Sequence, residues 1–189
     1  MKQKACFLGM ILCVCVWASP SFAWYYAVGG SNGGDADASG FTLEIGKRDV
    51  VLFGRPFLVA GAVPFILHGD KHIPDGTHSE PVPHDDYISL GDKDEGTERG
   101  LLGKLGMEIK EYDAYVNLIL GMTKVNTVNV AQSNPTGETY IQGSSDDLNA
   151  VYGIGISYFP VFMDGTVKMN FQLDIDNRRG ITGYIGWCW

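Results

Sequence analysis

The sequence predicts an all-β fold: an eight-stranded antiparallel up-and-down transmembrane β-barrel that follows a cleaved signal peptide. Three observations predict it. Apolar and polar residues alternate with a period of two through six segments, and two less regular ones bring the count to eight. No apolar run beyond residue 23 is long enough for a spanning helix. Aromatic residues gather at one set of expected strand ends.

The first 23 residues have the pattern of an export signal. Lys2 and Lys4 give a positive start, Ala5 to Trp17 an apolar stretch, and Pro20, Ser21 and Ala23 a helix break and the small residues of a cleavage site. The apolar stretch is shorter than the roughly 20 residues a membrane helix needs. Cys6, Cys13 and Cys15 lie too early for a lipid-anchored N-terminus. The expected division is a signal peptide over 1–23 and one barrel domain over 24–189.

The strands follow in order. Trp24, Tyr26 and Val28 share a face in the first. Phe41, Leu43 and Ile45 alternate with Thr42, Glu44 and Gly46 in the second. The third, 57–67, is apolar on both faces and is the longest apolar run after the signal, at 11 residues. Pro64 cannot donate to a ladder, so a bulge or local defect is expected there. Segment 100–109 sets Leu101, Leu105, Met107 and Ile109 against Leu102, Lys104, Gly106 and Glu108. Segment 113–123 sets Val116, Leu118, Leu120 and Met122 against Asn117, Ile119 and Gly121. In 149–159, Tyr152, Ile154, Ile156 and Tyr158 oppose Gly153, Gly155 and Ser157. The cleanest strand is 166–176, where Val167, Met169, Phe171, Leu173 and Ile175 alternate with Lys168, Asn170, Gln172, Asp174 and Asp176. Ile181, Gly183, Ile185, Trp187 and Trp189 share a face in the last.

The long connections are 68–99 and 124–148. In a barrel whose ends both sit in the periplasm, these two face outward. The chain carries 14 basic and 22 acidic residues, which argues against nucleic acid as a partner. Nine of the acidic residues lie in 69–98. Beyond the signal only Cys188 remains, so no internal disulfide is available, and ring closure must supply the stability.

Alternation alone also fits a soluble barrel that turns its apolar face inward around a ligand. The aromatics favour a membrane. Trp24, Tyr25, Tyr26, Phe53, Phe57, Tyr112, Tyr158, Phe159, Phe162, Trp187 and Trp189 all fall near the expected periplasmic rim, as a girdle does. The polar face supplies Glu44, Lys104, Glu108, Lys168 and Asp174, both signs together, among small glycines. Eight strands leave an interior that side chains fill, so the expectation is a plugged, charge-paired lumen.

Eight amphipathic segments, long outer loops and the closing run Gly180 to Trp189 resemble the small OmpA-type and opacity-type outer-membrane barrels. That resemblance implies a location in the cell outer membrane of a Gram-negative bacterium. It implies an assembly signal in Ile185, Trp187 and Trp189, read by the barrel-assembly machinery. It also implies contact with outer-membrane lipid and lipopolysaccharide. Trp189 stands where members usually carry Phe.

Chemistry-bearing clusters are few. His68, His72, His78 and His84 stand among the acidic residues, with Asp85 and Asp86 adjacent. Imidazole and carboxylate ligate metals, but the spacing matches no metal motif, and Pro74, Pro81 and Pro83 suit a mobile, solvated loop. No cofactor and no catalytic residue is expected. The enzyme alternative is a lipid-modifying hydrolase using His68 at a strand end with Ser89, Ser133, Ser144 or Ser145. Arg178 and Arg179 either grip lipopolysaccharide phosphates or pair with neighbouring aspartates. The role expected is structural or interactive, with an adhesin or receptor acting through 68–99 and 124–148 as the alternative.

Overall fold

The computed structural model describes residues 24–69, 73–162 and 167–188. The expected signal and Trp189 lie outside the described residues. The strands are β1 (Trp24–Gly33), β2 (Ala38–Leu52), β3 (Arg55–Gly69), β4 (Tyr87–Ile109), β5 (Ala114–Ser133), β6 (Thr139–Tyr158), β7 (Val161–Phe162), β8 (Val167–Asp176) and β9 (Gly180–Cys188). Each pairs antiparallel with the next, except that β6 pairs with β8 while the two-residue β7 pairs with the start of β8. β1 pairs with β9, with Val28 opposite Ile185. The sheet thus closes into a ring of eight strands. Closure removes the sheet edges that a small disulfide-free domain would otherwise expose.

Alternation sets the polarity of the wall. Leu101 is 69% exposed, Ile154 64% and Leu118 50%, whereas Glu44, Lys104, Asp174 and Arg179 are almost completely buried. Apolar side chains face out and charges face in, the reverse of a soluble barrel. An apolar surface of this extent has no stable contact with water. The outward apolar band includes residues 100–109 of β4 and 114–123 of β5, and it ends above at Arg99 and Lys124, both exposed.

Several connections differ from the sequence expectation. The sequence leaves 47–56 as a connection between the second and third expected strands, but it is not a loop: β2 continues to Leu52 and β3 begins at Arg55. Phe53 (φ 52°) and Gly54 (φ 75°) make a two-residue turn, the form that matches strand twist. A register shift between Lys47 and Val50 precedes it, and Lys47 and Arg48 are both buried. At Pro64 the β3–β4 pairing lapses between Ala62 and Phe65 without a change of register, while β2–β3 pairing runs through. This is a local defect, with no bulge.

The largest correction concerns 68–99 and 124–148. β4, β5 and β6 run on past the band, so 87–98, 124–133 and 139–148 form a three-stranded sheet above the barrel. At about 3.3 Å per residue, its middle strand adds roughly 30 Å of chain. Residues 73–86 are exposed along most of their length, as expected of a surface loop, but they are not free. They strap across this sheet to its far edge, where the His78 amide donates to the Thr139 carbonyl (2.8 Å) and the Ile141 amide to the His78 carbonyl (2.9 Å). The His78 ring stacks on Tyr140, centroids 4.8 Å apart, and the Asn134 side-chain amide donates to Asp86 at 2.5 Å. Val128 and Val130 of the middle strand are buried.

Candidate functional site

The interior is filled by layers of side chains. The lowest is aromatic. Phe159 packs edge-on against Tyr25 (5.4 Å) and Tyr115 (5.7 Å), and the Arg48 guanidinium lies over its ring at 4.5 Å. Arg48 donates to Asp113 at 2.6 Å, and Tyr115 donates to Asp49 at 2.7 Å. Tyr25 and Phe159 therefore belong to the plug and not to the outer girdle. Tyr26, Phe53, Tyr112, Tyr158, Phe162 and Trp187 are exposed at that end. Cys188 is half-buried beside the aromatic layer.

The middle layer crosses the ring. Lys104 Nζ lies 2.5 Å from Glu44 and 2.6 Å from Asp174. It also donates to Gln172 Oε1 at 2.8 Å and sits 4.2 Å from the centre of the Tyr184 ring. Glu44 Oε1 accepts from Tyr25 (2.8 Å) and Gln172 (2.6 Å). Arg179 closes the layer from above, donating to Asp176 (2.7 Å), Thr42 (3.0 Å) and Tyr184 (2.7 Å). Of the five lumen charges read from the sequence, the fold thus joins Glu44, Lys104 and Asp174. Glu108 and Lys168 are half-buried at the other end of their strands, away from this cluster.

The outer mouth holds a second ionic layer. Arg178 donates to Glu98 through Nε (2.8 Å) and Nη2 (2.7 Å), and to Asp94 at 2.5 Å. Thr123 donates to Glu98 as well, and His68 Nε2 lies 2.8 Å from it. Burial would raise the Glu98 carboxyl, but the bonds from Arg178, Thr123 and His68 outweigh it and hold the group below the ordinary glutamate range. His68, Asp94 and Glu98 present ligand-type atoms within 4.8 Å of one another. Arg178 Nη2 already bonds both carboxylates, so the cation there is a guanidinium. Sequence reading missed this layer because Arg178 and Glu98 are 80 residues apart.

The remaining metal candidates are dispersed. His72 lies outside the described residues. His78 stacks on Tyr140, and Asp85 is an exposed residue of the strap. His84 Nδ1 accepts from the Asp86 amide at 3.2 Å, and its Nε2 lies 3.1 Å from Ser133 Oγ. A neutral ring whose Nδ1 accepts carries its proton on Nε2 and donates to the serine, the wrong sense for activating a nucleophile. His68 faces the lumen, buried, and not the lipid edge where hydrolysis of a membrane lipid would occur. Arg178 and Arg179 are both buried against carboxylates and are not placed to grip lipopolysaccharide. Of the expected assembly signal, Ile185 and Trp187 face outward, Trp187 against Tyr26 at 5.6 Å.

No family model matches the chain, and no curated protein matches it. Among solved structures it is similar to two of Ail, the attachment invasion locus protein of Yersinia pestis. One, in complex with the heparin analogue sucrose octasulfate, has 12% identity and a TM-score of 0.43, with 89% of this chain and 97% of that chain covered. The other has 13% identity and a TM-score of 0.43, with 88% and 93% covered. The ring closure, the outward apolar band and the charged interior make this chain a small β-barrel of the outer-membrane type.

Proposed function

We propose that residues 1–23 direct export and that residues 24–189 sit in the outer membrane as a closed barrel. Its role is to brace the envelope and to hold the β4–β6 sheet outside the cell for contact with an extracellular partner. The observation that carries this reading is the inverted polarity, with Leu118 and Ile154 outside and Glu44, Lys104 and Asp174 bonded across the inside. The cross-lumen bonds favour a plug over a pore. The strapped three-stranded sheet favours presentation over simple bracing, because its side-chain bonds hold a fixed surface at little entropic cost. Binding to outer-membrane lipid and lipopolysaccharide, and delivery by the barrel-assembly machinery through Ile185, Trp187 and Trp189, belong to the same proposal. It contains no catalytic step.

Protease treatment of intact cells tests it. The expected result is cleavage within 73–86 or 134–138, leaving a protected barrel that still runs as a folded species in cold detergent. Cleavage only after the cells are broken open would place this sheet on the inner side and end the surface reading.

A further inference from the structure

We propose that Arg99 and Lys124 form a binding site for the phosphate of a lipid headgroup in the outer leaflet. The inference rests on the membrane reading above. Arg99 of β4 stands directly opposite Lys124 of β5, and both point outward. Like charges at directly opposed positions repel, so the pair stands there at a cost that an anion between them removes.

Depth identifies the anion. One step toward the barrel, the outward pair is Leu101 and Met122, both bare apolar side chains. Beside Arg99 on β3 lies Phe65, stacked on Phe41 at 4.7 Å. Beside Lys124 on β6 lies Leu148, also exposed. On β4 and β5 the two cations therefore mark the line where the apolar band stops. In a bilayer the headgroup phosphates lie at that line, and long basic side chains reach for them. A lipid seated there would set its acyl chains on Leu101, Met122 and Leu148 and its phosphate against the guanidinium and ammonium.

The neighbouring charges leave the site available. Among the described residues Arg99 has no carboxylate partner. Lys124 has Asp146 at 2.7 Å, with both side chains more than half exposed; such a pair is weak and easily exchanged. Glu95, the next carboxylate outward, is held by the Asn126 amide at 2.8 Å. Inside the barrel, Arg48, Lys104, Arg178 and Arg179 are each paired with carboxylates. The Arg99–Lys124 pair is thus the outward cationic pair at the boundary.

The test uses the full barrel in phosphatidylcholine vesicles containing either phosphorylated lipid A or its dephosphorylated form, with retained lipid counted by native mass spectrometry after gentle extraction. The protein is expected to retain the phosphorylated lipid preferentially. Arg99→Gln and Lys124→Gln should each lower that retention about fivefold, the effect of one cation at a membrane surface. Asp146→Asn, which frees Lys124, should raise it. Equal retention of the two lipids, or an Arg99→Gln protein that retains as much as the parent, overturns the proposal. The cold-gel mobility of each variant reports separately whether the barrel has formed, so failure of the site and failure of the membrane reading give different results.

Discussion

Replacing Lys104 with methionine is expected to destabilise the barrel by about 3–5 kcal/mol, the usual cost of removing one partner from a buried ion pair. The size follows from what remains. Lys104 is the ammonium between Glu44 and Asp174, and all three side chains are shut away from solvent. Without it, two carboxylates share a dry interior with the Gln172 amide and the Tyr25 hydroxyl as the remaining donors to Glu44. Arg179 stands 3.6 Å from Asp174 and offsets only part of the charge. The triple variant Lys104→Met, Glu44→Gln, Asp174→Asn carries no orphan charge and should recover most of the loss. Urea unfolding in vesicles, followed by tryptophan fluorescence, measures both. Equal instability of the single and triple variants would mean that packing, and not charge pairing, sets the value of this layer.

A charge placed on the outer wall should be nearly as damaging, in a way that depends on depth. Leu118 lies mid-band, opposite Leu105 on β4 and Ile154 on β6. Leu118→Arg is expected to cost about 2–4 kcal/mol, whereas Leu148→Arg, at the upper edge, should cost about 0–1 kcal/mol. Both positions are exposed in the isolated chain, so in water the two substitutions would be equally mild. A steep difference between them in vesicles is therefore a signature of lipid contact. Matching midpoints for the two variants would argue that the band does not face hydrocarbon.

Much of this architecture is legible in the sequence. β5, β8 and β9 show a clean period of two because each has one face on the lumen and one on the band. The same alternation that places Leu173 and Ile175 outside places Asp174 inside, and it does so for Glu44 and Lys104. Legibility ends where the band ends. In Asp92-Lys93-Asp94-Glu95 both faces are polar, so nothing alternates, and the segment reads as a solvated loop. Its strand character comes from partners far along the chain, such as Asn129 for Asp92 and Asn126 for Glu95. The mouth layer was hidden for a related reason. Asp94 and Glu98 look like two more members of an acidic run until the ring brings the β8–β9 turn, with Arg178, over them. Tyr25 and Tyr26 show the limit of composition: adjacent tyrosines point to opposite sides of the wall, one to the plug and one to the girdle.

A closed wall with this inverted polarity requires a membrane around it. The most direct measurement is the gel mobility of unboiled against boiled protein taken from an outer-membrane fraction. A barrel whose β5 and β6 pair without a break from Ala114–Tyr158 to Thr123–Asn149, and which is plugged by ionic layers, should keep its fold in cold detergent, so the unboiled protein is expected to run apart from the boiled protein. A single band of unchanged mobility, with the protein recovered in the soluble periplasmic fraction, would contradict the membrane barrel.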